Sequence, residues 1–259
     1  MPEGHTLHRL ARDLTELVGP PVAATSPQGR FPTEPVHGRR LTGVEAYGKH
    51  LFVDVTGGDS VHVHLGMRGK WLRFAPVTGP GLPQVRLRLA LPAVAWDLIA
   101  PSTCELLDAT GRAEVVGGLG PDPLRADGDP DEAYRRVVAH PGTIAAALLD
   151  QSRIAGVGNV FRAEVLHGLR MAPTRPARSV TAAEFAALWQ RLQAIMTQAV
   201  DDGRIITVEA EDRQAVPEAE SRRVYKQQHC YDCGTPVVTG TIDGRTTYAC
   251  PRCQPVGVG

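Results

Sequence analysis

Residues 149–164 read Leu149-Asp-Gln-Ser-Arg-Ile-Ala-Gly-Val-Gly-Asn-Val-Phe-Arg-Ala-Glu164: an apolar approach, a turn on Gly156-Val-Gly158-Asn159, and the start of a helical run. Glycines two apart let the backbone turn tightly. A helix opening at such a turn points amides and a positive dipole end outward, an arrangement that binds anions. Taken alone the segment is equally a plain turn between helices. Helical spacing recurs on both sides of it, at about Asp131 to Ala139, Thr143 to Leu149, Val157 to Gly168 and Ala182 to Asp202. The last carries Phe185, Leu188, Leu192, Ile195, Met196 and Val200 on one face. These segments predict a helical domain. Residues 208–221, VEAEDRQAVPEAES, are polar and acidic, and a mobile loop is expected there.

Further along, four of the five cysteines form Cys230-x2-Cys233-x16-Cys250-x2-Cys253, the spacing of a four-thiolate zinc site. Thr235 to Thr241 and Thr246 to Ala249 read as a β-hairpin across Asp243-Gly244. A metal replaces the apolar core that so short a segment lacks. Two disulfides or a redox dithiol are the alternatives, the first disfavoured in a reducing compartment. A closed four-thiolate site makes the Zn2+ structural rather than catalytic. Cys104 is a lone thiol and reads as a buried strand residue.

Before the helical region, Leu7, Leu10, Leu14, Leu17 and Val18 predict a helix from Thr6 to Val18, stopped by Gly19-Pro20-Pro21. Short β-prone runs follow between Gly/Pro turns: 41–46, 51–55, 60–65, 70–74, 85–91 and 94–99. That cadence reads as a β-sandwich or barrel. The pattern breaks around Gly117 to Pro123, and the acidic stretch 127–132 looks like a linker. The fold class expected is α+β and multidomain: a β-sandwich with a flanking helix, a helical domain and a small β-hairpin zinc finger.

Twenty-eight basic and 28 acidic residues leave no net charge, so composition gives no sign of a nucleic-acid partner. The distribution differs: residues 151–178 carry five Arg against Glu164, and 222–253 carry five basic residues against Asp232 and Asp243. Residues 97–132, with nine acids against Arg112 and Arg125, are acidic. No run reaches the 18 or more apolar residues of a membrane span, and the start lacks a signal-peptide pattern, so a cytoplasmic, nucleoid-associated protein is expected.

Pro2 and Glu3 follow the initiator Met. Removal of Met1 would leave Pro2 a secondary amine beside a carboxylate; an α-amino group has a reference pKa of roughly 8, so a neutral, nucleophilic fraction exists near pH 7. Such an amine on an aldehyde-like carbon gives an iminium, which acidifies adjacent C–H bonds and permits elimination.

Four segments together resemble the formamidopyrimidine-DNA glycosylase and endonuclease VIII family: Met1-Pro-Glu-Gly4, Tyr47-Gly-Lys-His-Leu-Phe52 with His64-Leu-Gly-Met67, the stretch 149–164, and the four-cysteine finger. The resemblance runs end to end. It implies that residues 149–164 belong to a helix-two-turns-helix, with Asn159 on DNA phosphate and Arg245 of the hairpin on a neighbouring one. It implies Pro2 as the nucleophile at C1′ of a damaged nucleotide, Glu3 as general acid/base, and Lys49 as a strand lysine that contacts phosphate. Met67 corresponds to the wedge filling the gap left by an extruded base; its bland reading is a core methionine. His62 and His64 share a strand face, and His64 is read as packing or as a phosphate contact.

The domains expected are then a catalytic sandwich over 1–118, a linker over 119–134, the helix-two-turns-helix over 135–222 and the finger over 223–259. The chain is expected to act as a monomer on damaged DNA, as a base-excision glycosylase with abasic-site lyase activity, with no membrane partner. Pro101 to Leu107 occupies the loop where formamidopyrimidine-type members carry an Arg and a Phe, and Glu3-Gly4 departs from their start. Both tilt the reading to the endonuclease VIII branch and oxidised pyrimidines such as thymine glycol or 5-hydroxyuracil. Thr6 replaces an acidic residue found in many relatives. The alternatives are the same chemistry on 8-oxoguanine or formamidopyrimidines, and a non-catalytic protein that binds damaged DNA.

Overall fold

Alternation of apolar and polar residues, period two, drives the first half of the chain into sheets, and period-3.6 spacing drives the second into helices. A computed structural model describes residues 2–255. Met1 and the last four residues of the expected finger segment lie outside them. The chain divides into two units, Met1–Gly118 and Leu119–Gly259.

In the first unit a helix α1 (Gly4–Leu14) continues as a 3-10 turn to Leu17. Two antiparallel sheets follow. One has the order β2 (Leu41–Tyr47), β3 (His50–Val55), β4 (Ser60–His64) and β8 (Thr103–Leu107); the other has β1 (Ala23–Thr25), β6 (Val85–Ala90), β7 (Ala95–Ile99) and β5 (Lys70–Phe74). Leu51, Val53, Val61 and Val63 from the first meet Leu87, Leu89, Trp96 and Leu98 from the second in one core, which Leu7 and Leu14 of α1 join. This is the sandwich with its flanking helix. Two strands, β1 and β8, have no counterpart among the expected runs. Pro101 to Leu107, expected as a loop, is largely a strand pairing with β4, with Glu105 opposite His62 and Cys104 opposite Val63. A short helix α2 (Ala109–Gly117), capped by Asp108 accepting from the Gly111 amide at 2.8 Å, packs on β4 and β8.

The second unit holds α3 (Pro130–Val138), α4 (Ile144–Ala147), α5 (Asn159–Gly168) and α6 (Ala182–Asp202), then the hairpin β9 (Val238–Ile242) and β10 (Arg245–Ala249). The ends of α6 follow from sequence: Thr181 and Glu184 form a capping box, and Gly203 closes the helix at φ 75°. Asp243 and Gly244, at φ 46° and 70°, turn the hairpin as its sequence predicts. Cys230, Cys250 and Cys253 belong to the same apolar core as Phe161, Val165, Leu188 and Leu192, so hairpin and helices share one interior.

Two expected irregular stretches are built in. Residues 119–128, expected as linker, pack on the unit they precede: Asp122 is fully buried, and the Gly120 amide donates to the Gln151 carbonyl at 2.8 Å. The segment 208–221 is also held in place. Arg204 donates to the carbonyls of Arg213, Gln214 and Val216, and Arg213 to Asp202 and the Ile206 carbonyl.

Candidate functional site

The chemistry-bearing residues of the first unit lie at the start of α1 and at the paired His50 and His64 ends of β3 and β4. Glu3 takes the extended backbone of an N-cap, and its carbonyl accepts from the Thr6 amide at 2.9 Å. Its side chain is buried, at 1% exposure, so it is no surface carboxylate. Pro2 beside it is half-buried. The helix they open packs across β2 and β3.

Lys49 sits at the corner joining those two strands, where the sequence reading has a strand lysine. Tyr47 pairs with His50, leaving Gly48 and Lys49 as a two-residue turn with Gly48 at φ 57°. Glycine at the first corner position permits this tight hairpin. The Lys49 charge acts on both His50 and His64.

His64 ends β4 directly opposite His50. Its Nδ1 accepts from the Gly66 amide at 3.1 Å and lies 2.8 Å from Ser102 Oγ. Nδ1 is thereby the acceptor, so the proton of the neutral ring sits on Nε2 as a donor. Burial first, then the nearby Lys49 and His62 charges, hold His64 below the ordinary histidine range. The following turn, closed by the Gly69 amide on the Leu65 carbonyl at 2.9 Å, lifts Met67 to 69% exposure while Leu65 is buried. Met67 is therefore not a core residue. Burial pushes the Cys104 thiol up to about 12, so it remains a protonated thiol and no nucleophile.

In the second unit, Asn159 is the first residue of α5, which puts the helix N-terminus at the Gly-x-Gly-Asn turn. Its amide is locked: Nδ2 donates to the Thr246 carbonyl at 3.0 Å, and Oδ1 accepts from Arg162. Arg162, buried at 1% exposure, also donates to the Thr246 carbonyl at 2.8 Å. Asn159 is thus brought beside the hairpin residue that follows Arg245, and Arg245 is exposed. Sequence reasoning counts Arg162 as one of five basic residues and misses its role, because nothing local distinguishes a buried arginine.

Glu164 escapes notice too. Its buried carboxylate accepts from the amides of Arg223 at 2.8 Å, Val224 at 3.0 Å and Tyr225 at 2.8 Å, and from the Thr207 hydroxyl.

The four cysteine sulfurs lie within 4.8 Å of one another. Cys230–Cys253 is 3.9 Å, and Cys233–Cys250 and Cys233–Cys253 are both 3.5 Å. A tetrahedral tetrathiolate with ~2.3 Å metal–sulfur bonds has edges of about 3.8 Å, so the cluster fits a metal ion. The buried His167, at the end of α5, sits with Nε2 3.2 Å from Cys230 Sγ, another contact that the sequence does not signal.

A sheet sandwich with Pro2 beside a buried carboxylate, and a helical unit in which α5 opens at a Gly-x-Gly-Asn turn beside a four-sulfur hairpin, match a class of DNA-repair glycosylases. Residues 1–98 match the family model for the formamidopyrimidine-DNA glycosylase N-terminal domain, and residues 119–210 match that for the formamidopyrimidine-DNA glycosylase H2TH domain. The chain is 42% identical to "Endonuclease 8 1" of Mycobacterium tuberculosis over 98% of its own length and 100% of that protein's. It is 34% identical to "Probable endonuclease 8 2" of Streptomyces coelicolor, over 98% and 94%. The crystal structure of the MutM (Fpg) protein from Thermus thermophilus superposes with a TM-score of 0.79 at 28% identity, covering 99% of this chain and 100% of that one. The chain belongs to the formamidopyrimidine-DNA glycosylase and endonuclease 8 family of DNA glycosylases.

Proposed function

We propose that this glycosylase removes oxidised pyrimidines from damaged DNA and then cuts the strand at the resulting abasic site, using the amine that Pro2 exposes once Met1 is removed. The neutral amine attacks C1′ of the lesion nucleotide. Glu3 protonates and deprotonates at the sugar, the base departs, and an iminium forms between Pro2 and C1′. The acidified neighbouring C–H is then lost, and elimination expels the phosphate. Lys49 and His64 Nε2 meet phosphate near the reacting sugar, and Met67 fills the stack vacated by the flipped nucleotide. Asn159, the α5 N-terminus and Arg245 grip the backbone. One Zn2+ ion on Cys230, Cys233, Cys250 and Cys253 holds the hairpin that carries Arg245, and the chain works as a monomer.

The observation that carries the reading is the buried Glu3 beside Pro2. Burying a carboxylate is costly, and such residues cluster where chemistry needs them. Residues 208–221 correspond to the segment that can cap the flipped base in purine-specific relatives, and their polar side chains offer no clear purine contacts.

The test is to incubate the protein with an abasic oligonucleotide, reduce with borohydride and map the adduct, then compare turnover on thymine glycol and 8-oxoguanine duplexes. An adduct on Pro2 with faster thymine glycol removal is expected. Tight binding with no adduct after complete Met1 removal would leave only a binding role, and a strong 8-oxoguanine preference would move the substrate to purines. Arg245→Ala is expected to weaken lesion and plain DNA alike, by roughly tenfold, and to flatten the salt dependence of log K by about one unit. A change confined to base preference would contradict a phosphate role.

A further inference from the structure

The helix α5 is tied to the finger segment at its start, its middle and its end. Asn159 and Arg162 donate to the Thr246 carbonyl of the hairpin, and Glu164 accepts from the amides of Arg223, Val224 and Tyr225. Those two ties hold main chain. The third reaches a sulfur: His167 Nε2 lies 3.2 Å from Cys230 Sγ, and the two residues are 1% and 2% exposed. The reaction above does not use this contact.

The direction of the bond follows from its acceptor. A metal-bound cysteine is a thiolate and only accepts, so His167 Nε2 carries the hydrogen. The other ring nitrogen, Nδ1, is buried with no hydrogen-bond partner in the protein. In a neutral ring it is a bare lone pair, whereas in an imidazolium it would be a second N–H, buried without an acceptor. An apolar ring would fill the same space and strand no nitrogen, so the Nε2 donor is what a histidine adds here. Asp232 does not compete for it. Its Oδ2 is 3.9 Å from Nε2, beyond hydrogen-bond reach, and its Oδ1 accepts from Arg223. The four sulfurs form a set of their own that His167 stands outside, so the ring neighbours the ligands and is not one of them.

We propose that His167 donates its Nε2 hydrogen to the Cys230 thiolate, strengthening the hold on the metal and fixing the Cys230 knuckle to the helix whose other end grips DNA. His167 is a positioning residue, and the assignment rests on the reading of the four cysteines as a Zn2+ site. Four thiolates around a divalent ion leave excess negative charge inside an apolar core. A hydrogen bond on one sulfur draws off part of that charge and orients the ligand. Metal retention and the placing of Asn159 thereby become properties of a single helix.

Two variants of the full chain separate the donor from the ring. His167→Phe keeps a buried ring and removes the donor; His167→Gln keeps a distal N–H. Zn2+ affinity is measured by competition with a chromophoric chelator, and DNA affinity by anisotropy at buffered low and at saturating Zn2+. His167→Phe is expected to bind Zn2+ about tenfold or more weakly, and His167→Gln to stay within about threefold of the parent. At low free Zn2+ the Phe variant should lose DNA affinity, and saturating Zn2+ should restore it to within about threefold. With Co2+ as the probe, the sulfur-to-metal charge-transfer band of the Phe variant should move to longer wavelength, because a thiolate without its donor gives up an electron more readily. A ring that only packs would leave the band in place. One measurement needs no variant: magnetic resonance of the metal-loaded parent should find the His167 hydrogen on Nε2 and protected from exchange. A hydrogen on Nδ1, unchanged Zn2+ affinity in the Phe variant, or equal loss in both variants would overturn the proposal. The underlying zinc reading fails differently: the parent chain itself would hold no metal.

Discussion

A chain that keeps Met1 in front of Pro2 should bind abasic DNA almost normally yet yield no borohydride-trapped adduct and no strand cleavage. Retention converts the Pro2 nitrogen from a secondary amine into an amide, whose lone pair is delocalised into the carbonyl and is not nucleophilic. The new terminal amine of Met1 has the same reference pKa, roughly 8, but lies a residue away, about 3.8 Å between Cα atoms. Reacting atoms must be held at an approach of about 3–3.5 Å, and a misplacement of about 1 Å already costs about 100-fold, so the displaced amine does not substitute. The expected loss in single-turnover rate is at least ~10³-fold, about 4 kcal/mol of barrier. Affinity should change by less than about threefold, because the residues proposed to meet phosphate, Lys49, His64, Asn159 and Arg245, are unaltered. Intact-mass measurement verifies retention of Met1, and trapping with anisotropy titration gives both readouts. An adduct on the Met1-bearing chain that maps to Lys49 would transfer the nucleophile's role to that residue.

Stripping the metal is expected to have the second largest effect. With Cys250→Ser or a strong chelator, the second unit should lose several kcal/mol of stability, a fraction of the ~10–16 kcal/mol apparent for structural zinc in finger peptides. The reason is the shared interior. Cys250 is fully buried, its amide donates to Gln254 Oε1 at 3.0 Å, and Gln254 Nε2 donates to the Met171 carbonyl at 2.9 Å. Four thiolates released into this core repel one another or take up protons, and the hairpin comes away. Thr246 then ceases to lock Asn159, and Arg245 loses its place, so DNA affinity should fall by about 100-fold or more. Melting curves, metal released per chain and anisotropy measured together check this. A metal-free chain with unchanged melting temperature and affinity would show that the sulfurs need no ion.

Much of this architecture was legible in the sequence, where the signal was local. Periodicity located six of the eight sandwich strands and α6 to the residue, and the cysteine spacing located the sulfur cluster. The misses have physical causes. The helix α2 buries no residue and has little amphipathic pattern to read. The strand β8 follows Pro101 and is half-buried along most of its length, so no alternation marks it. Residues 208–221 look mobile because their ties are arginine side chains on distant carbonyls, which have no signature in composition. The site divided likewise: motif residues could be named, whereas the hydrogen bonds linking Glu105 to His62 and His62 to His50 join positions 43 and 12 residues apart and exist only through strand register.

The buried carboxylate of Glu164 bears on how such a protein can be taken apart or inherited. Three of its four partners are main-chain amides at 223–225, so they are indifferent to side-chain identity but require that stretch of chain to be present. A truncation before Arg223, at the boundary the sequence suggests, would strand a negative charge in an apolar interior rather than release an independent helical module. The helices and the hairpin are therefore not interchangeable parts. Any exchange of fingers between relatives has its natural splice point upstream of Thr207, and a graft made later should be recovered insoluble unless Glu164 is neutralised with it.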